Sequence, residues 1–137
     1  MSSRLLKTLS GTEADYRPVW LMRQAGRCLP EYRAIRKEYR FEDLMERPDI
    51  AATVTLQPIE RFDFDAAILF ADILLILDAL GVKVQFIEGQ GPLLEPVKNK
   101  KDIERISNLG EIHEKLFPVY ETVKKLKKHL PKDVPLI

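Results

Sequence analysis

The chain has 137 residues, with 22 Lys and Arg against 21 Asp and Glu and a formal net charge of +1, which is the size of one domain. Hydrophobic residues make up 45% and charged residues 31%, an ordinary globular composition that excludes disorder of the whole chain. So balanced a charge leaves no global field to draw the chain to nucleic acid or to an anionic membrane, and any electrostatic function must be local.

Cys28 is the single cysteine, so no internal disulfide can form and a reducing cytoplasm is the expected compartment. The N-terminal stretch MSSRLLKTLSG holds no apolar run of signal-peptide length. The longest apolar stretch, AAILFADILLILDALG, is broken by Asp72 and Asp78, which excludes a membrane span.

Residues 3–9 are expected as a short helix stopped by Gly11. Pro18 introduces a first strand at 19–22, VWLM. Pro30 suits the first turn of a helix, PEYRAIRKEY, with Tyr32, Ile35 and Tyr39 on one side. RFEDLMERP is a second short helix ending before Pro48, and Pro48 opens a longer one with apolar positions Ile50, Val54 and Ile59, kinked or broken at Pro58. AAILF at 66–70 is wholly apolar, like a buried parallel strand. DILLILDALG follows as a helix ended by Gly81. VKVQFIE alternates as a half-buried strand, EGQGPLLEPV reads as loop within a hairpin-like excursion, and KKDIERIS reads as a short helix. Ile112, Leu116, Val119, Val123, Leu126 and Leu130 line one stripe of a late helix that starts in earnest near Pro118, and VPLI resembles the start of another strand. The alternation predicts a parallel α/β structure, with residues 1–137 as the opening part of a larger domain.

In parallel α/β folds function collects at the C-terminal ends of strands. After 19–22 come Arg23, Gln24, Ala25, Gly26 and Arg27, and after 66–70 comes Asp72. Arginine's planar fork suits carboxylates. Gly26 allows close approach of the backbone, and the Ala25 and Gly26 amides could donate as well. Arg23 and Arg27 fit equally a pair of guanidiniums held by acids of a neighbouring loop. Asp72 fits a helix N-cap as well as a ligand group. EGQGP precedes neither a helix start nor a Lys-Ser/Thr pair, so a turn is expected rather than a phosphate loop. His113, His129 and Cys28 lack metal-ligand spacing. Lys124, Lys125, Lys127 and Lys128 suit the dipole of the last helix better than a nucleic-acid patch.

PVWLMRQAGRCLPEYRAIR closely resembles the N-terminal signature of the uroporphyrinogen decarboxylases, a family of haem-pathway enzymes. ILFADILLILDALG resembles that family's second motif and FIEGQGPLLEPV a third, in the family's order and spacing. The resemblance runs over the whole chain. It implies the N-terminal part of a (β/α)8 TIM barrel, a fold that takes about 250 residues, and so a fragment inactive by itself. It also implies a cyclic tetrapyrrole substrate carrying an acetate and a propionate on each ring, with CO2 lost from the acetates and no metal or organic cofactor. The complete protein is expected to be a homodimer. By resemblance, Arg23, Gln24, Ala25, Gly26, Arg27 and Arg36 bind substrate, Arg23 assists at the reacting acetate, and Asp72 accepts from the pyrrole N–H groups. A Tyr, a Ser and a His that reach the substrate in the family lie later than residue 137. Cys28 stands where the family usually has Tyr. Arginine hardly deprotonates, so anion binding suits Arg23 better than proton donation. A cobalamin- or coenzyme-linked methyltransferase on the same barrel is the competing enzyme. The arginine-rich first motif argues against it, because such enzymes typically use a zinc held by His and Cys. A non-catalytic fragment is the competing reading of another class.

Overall fold

The computed structural model describes residues 3–87, 91–106 and 112–137. Helices form where the sequence carries apolar residues at helical spacing between start and stop signals. They are α1 (Arg4–Leu9), α2 (Pro30–Glu38), α3 (Phe41–Glu46), α4 (Pro48–Phe62), α5 (Leu75–Ala79), α6 (Lys100–Ile106), α7 (Ile112–Lys115) and α8 (Phe117–His129). Strands β1 (Val84–Ile87) and β2 (Gly91–Leu94) pair antiparallel, with Val84 opposite Leu94. The chain divides into two compact units, residues 1–70 with 118–137, and residues 71–117. No described helix is long and apolar enough to cross a membrane.

In the first unit, α2 and α4 start at prolines, whose fixed φ suits a first turn that needs no donor. Leu29, Tyr32, Leu44 and Val54 bury one face of α2, α3 and α4 together, and Ile35, Tyr39, Ile50 and Phe70 pack around them. Each fully buried side chain here contributes about 2 kcal/mol. The Phe70 ring meets Tyr32 at 5.8 Å and Phe41 edge-on at 5.9 Å. Lys125 on α8 reaches Asp49 at the start of α4, 2.6 Å away.

Residues 66–70 run beside 135–137 in the parallel sense, bridged at Ala67 and Leu136. Ala67 N–H donates to Pro135 O at 2.9 Å, Ile137 N–H to Ala67 O at 2.8 Å, and Leu69 N–H to Ile137 O at 2.8 Å. Side chains serve much of the backbone elsewhere along the segment. Phe70 N–H donates to Thr55 Oγ1 at 2.9 Å, and the same hydroxyl donates to Ala51 O on its own helix. Thr55 is fully buried.

Several expectations are corrected. Residues 19–22 form no strand. Val19 donates to the Asp65 carboxylate and accepts from Asp65 N–H, so a side chain stands where a ladder partner would. Val19, Leu21 and Met22 are 51%, 56% and 76% exposed. A strand needs a neighbour on its edge, and none lies there among the described residues. The expected break at Pro58 is absent. Helix α4 runs through it, at the loss of one backbone donor, and the ring is fully buried. The helix expected from Asp72 is only α5, capped by Leu74 without a side-chain bond. Residues 91–94, read as loop, are β2, while Glu88–Gln90 of that stretch and Ser107 of KKDIERIS lie outside the described residues. The late stripe is two helices, α7 and α8, divided at Leu116. Gly11 and Gly81 follow helix ends at φ +74° and +83°, as stop signals should. Asp63 ends α4 in the same left-handed region, which Asp tolerates.

Two outcomes follow from this packing. Thr55→Val keeps the volume but strands the Phe70 N–H in the core, and should cost about 1–3 kcal/mol in denaturant unfolding. Thr55→Ser should recover most of that loss. The exposed Val19, Leu21 and Met22, with Leu9 at 73%, form apolar surface of the kind that drives association. Sedimentation should show mass rising with concentration, and a monomer at every concentration would refute this.

Candidate functional site

The expected arginines stand on two consecutive turns. Gln24 N–H closes the first on Leu21 O at 3.2 Å, and Leu29 N–H closes the second on Gly26 O at 3.0 Å. Arg23 occupies a central position of the first turn and Arg27 of the second. Central turn residues point away from the closing bond, and both arginines are exposed. Neither guanidinium has a carboxylate partner among the described residues. The ion pair with a neighbouring loop, one of the two sequence readings, is therefore not formed there.

Gln24 holds the first turn rather than facing outward. It is 3% exposed. Its Oε1 accepts from Leu21 N–H at 3.2 Å and its Nε2 donates to Ala66 O at 3.0 Å. That amide joins the turn to the 66–70 segment. Asp65 does the same one residue earlier. Its Oδ2 accepts from Val19 N–H at 2.8 Å, and its Oδ1 takes Arg4 Nη1 at 3.3 Å. Arg4 in turn bonds Asp15 through Nε at 2.9 Å and lies 4.0 Å over the Tyr16 ring. The Asp15 carboxyl is held below its usual range, chiefly by that bond to Arg4.

The second turn enters α2. Tyr32 is buried there, and burial pushes its phenol up, while Arg36 and Arg27 pull it back by stabilising the phenolate. The charges of both arginines are thus felt at one phenol. Arg36 also donates to Tyr39 O at 2.5 Å, at the helix end that favours a cation. Ala25 and Gly26 are half-buried, and Ala25 packs on the Leu29–Tyr32 core. A Cβ on Gly26 would meet nothing within 4 Å, and Gly26 is not among the residues with positive φ. Neither backbone strain nor packing among the described residues demands glycine there. The space beside it is open to a ligand.

Asp72 belongs to the second unit. Its Oδ1 accepts from Leu74 N–H at 2.7 Å, two residues on, and Leu75 N–H reaches Asp72 O at 3.2 Å. This is a side-chain turn ahead of α5 rather than the helix cap that was one of the two sequence readings. Oδ2 has no partner among the described residues. The sequence reading did not single out Asp65, Thr55 or Arg33. A polar residue within an apolar stretch, as at Asp65 or Thr55, was the available signal, but spacing does not reveal what it bonds.

The fold is that of the first part of a (β/α)8 barrel. A methyltransferase from Methanosarcina mazei superposes with a TM-score of 0.75, over 97% of this chain and 40% of its own, at 21% sequence identity. The family model described as Uroporphyrinogen decarboxylase (URO-D) matches residues 1–137, and the chain belongs to that family. It is 54% identical, over 98% of its length, to the uroporphyrinogen decarboxylase of Jannaschia sp. (strain CCS1), of which it covers 39%. It is 50% identical, over 99% of its length, to that of Ruegeria pomeroyi (strain ATCC 700808 / DSM 15171 / DSS-3), of which it covers 40%. The chain therefore spans about two-fifths of the length of these curated relatives.

Gln24→Glu tests the clasp. It keeps an acceptor for Leu21 N–H but sets an anionic oxygen against Ala66 O. Unfolding should become easier by about 2 kcal/mol at neutral pH. Protonation restores a donor toward Ala66 O, so the deficit should shrink as pH falls through the raised pKa of the new carboxyl. A variant as stable as the parent at neutral pH would refute the clasp.

Proposed function

We propose that the complete protein removes CO2 from the acetate side chains of uroporphyrinogen III, leaving methyl groups and giving coproporphyrinogen III, without metal or organic cofactor. The observation that carries this is the pair of braced turns in a chain of this family. They present Arg23 and Arg27 with no carboxylate partner among the described residues. Guanidiniums on a braced backbone meet carboxylates bidentately, with the backbone part of the ordering entropy already spent in folding. Arg36, on α2, adds a third cation, and the open face of Gly26 lets a ligand approach the backbone.

The chemistry needs an electron sink. A proton added to the pyrrole carbon makes the ring cationic. The bond from the acetate methylene to its carboxylate then breaks, its electron pair flows into the ring and CO2 leaves. A second proton completes the methyl group, and the ring carbon gives up the first proton to restore the pyrrole, so that one proton is taken up for each CO2 lost. Asp72, acceptor-only when ionised, takes the pyrrole N–H groups through its free oxygen and stabilises the positive charge as it grows. Arg23 and Arg27 hold the carboxylates. Gln24 contributes by fixing Arg23 in place. We propose a cytoplasmic homodimer that binds neither nucleic acid nor membrane. The likeness to a methyltransferase, at 21% identity, carries the fold alone. By itself the 137-residue chain is proposed to be inactive.

The test joins this chain to the remaining part of the Jannaschia relative and follows uroporphyrinogen turnover. Asp72→Asn keeps the turn to Leu74 and should leave the melting curve in place, while the rate falls by roughly two to three orders of magnitude. Gly26→Ala should fold normally, with its main effect a raised KM. Near-normal turnover by Asp72→Asn would remove Asp72 from the site. A parent chimera that folds without turning over substrate would defeat the decarboxylase reading.

A further inference from the structure

Arg33 stands on the fourth residue of α2, where a cation gains nothing from the helix dipole, whose positive end lies one turn away. Long helical side chains lean back toward the N-terminus, and this one leans over the second arginine-bearing turn. Its Nη1 donates to Arg27 O at 2.8 Å and to Cys28 O at 3.2 Å. Both carbonyls belong to the central residues of the turn that Leu29 N–H closes on Gly26 O at 3.0 Å. Leu29 is 1% exposed and anchors the end of that turn in the core. A carbonyl drawn onto Arg33 fixes the plane of the peptide that follows it. With the Arg27 and Cys28 carbonyls both drawn to one nitrogen, the backbone from which the Arg27 side chain departs has little freedom left.

We propose that Arg33 is the positioning residue for Arg27, holding the second turn in the conformation that presents the Arg27 guanidinium to a substrate carboxylate. This rests on the carboxylate-binding role of Arg27 given above. Arg33 need not touch the ligand. It does for the second turn what the Gln24 amide does for the first, and it uses charge-assisted bonds, which hold an exposed turn better than neutral ones. A free arginine on a mobile turn would lose backbone and rotamer entropy on binding, and a clamped turn has lost most of the backbone share already.

The experiment titrates uroporphyrin, a fluorescent porphyrin octacarboxylate, into the chimera described above, as parent, and three variants of it, alongside melting curves and amide exchange. Arg33→Met keeps the stem and removes the donors. It should weaken binding about tenfold and speed exchange of the Leu29 amide by about the same factor, with little change in melting temperature. Arg33→Lys should recover part of both losses. Lys37→Met takes the same charge from the same helix and should stay within about twofold of the parent, because Lys37 is exposed and makes no hydrogen bond to the turn among the described residues. An Arg33→Met chain that binds as tightly as the parent overturns the proposal. So does a Lys37→Met chain that loses as much, since charge alone would then be at work. A parent chimera that does not bind uroporphyrin is a different result. It overturns the carboxylate role of Arg27, and the positioning role with it.

Discussion

The backbone of residues 65–70 has to be satisfied in a place where water is scarce, and much of the first unit is arranged around that need. A parallel neighbour at 135–137 meets the N–H groups of Ala67 and Leu69. Other polar groups of the segment are met individually. Val19 O takes Asp65 N–H, Gln24 Nε2 reaches Ala66 O, and Thr55 Oγ1 accepts from Phe70 N–H. Leaving one such group unpaired costs about 1–3 kcal/mol, comparable to a buried leucine. Polar residues inside apolar surroundings therefore earn their positions through the backbone they serve. The Asp65 carboxylate adds a further link, tying Val19 to Arg4 and through it to Asp15 and Tyr16.

Those same bonds shape the candidate site. Residues 21–29 would otherwise be a polar loop with two free cations. The Gln24 amide roots the first turn on Ala66, the buried Leu29 roots the end of the second, and Arg33 holds the carbonyls between. The exposed guanidiniums thus stand on a backbone with few alternatives. Rigid support is what separates a binding constellation from a merely basic surface, since ordering costs fall in folding rather than in binding. Arg36 extends the positive ground along α2, while the net charge of the chain stays at +1. The field is local, as the composition required.

The second unit works differently. Its helices α5, α6 and α7 are short, and among the described residues β1 and β2 pair only with each other. Gly81 at φ +83° turns the chain out of α5, with Val82 N–H donating to Leu77 O at 2.9 Å. Lys115 Nζ reaches Asp78 O at 3.4 Å and links α7 to α5. Asp72 opens this unit with a turn that uses one carboxylate oxygen and leaves the other without a partner among the described residues.

Much was legible in the sequence because it depends on local rules. Prolines at 30 and 48 mark helix starts, Gly11 and Gly81 mark stops, and helical spacing sets the buried faces of α2 and α4. The motif around residues 18–36 indicated the family, since a long run of specific residues leaves little room for chance. What the sequence could not show was what each polar side chain bonds. The run at 19–22 has the composition of a strand, yet a strand exists only with a partner on its edge, and here a carboxylate 46 residues away takes that place. The sequence did not show that the Gln24 amide lies between two backbone groups, and it left Asp72 open between cap and ligand, where the structure sets one carboxylate oxygen on Leu74 N–H. Apolar residues declare burial by periodicity, because the hydrophobic effect is non-directional and follows surface area. Hydrogen bonds are directional and pair groups far apart in the chain, so only the tertiary structure decided which polar residues brace the site and which are left to meet a ligand.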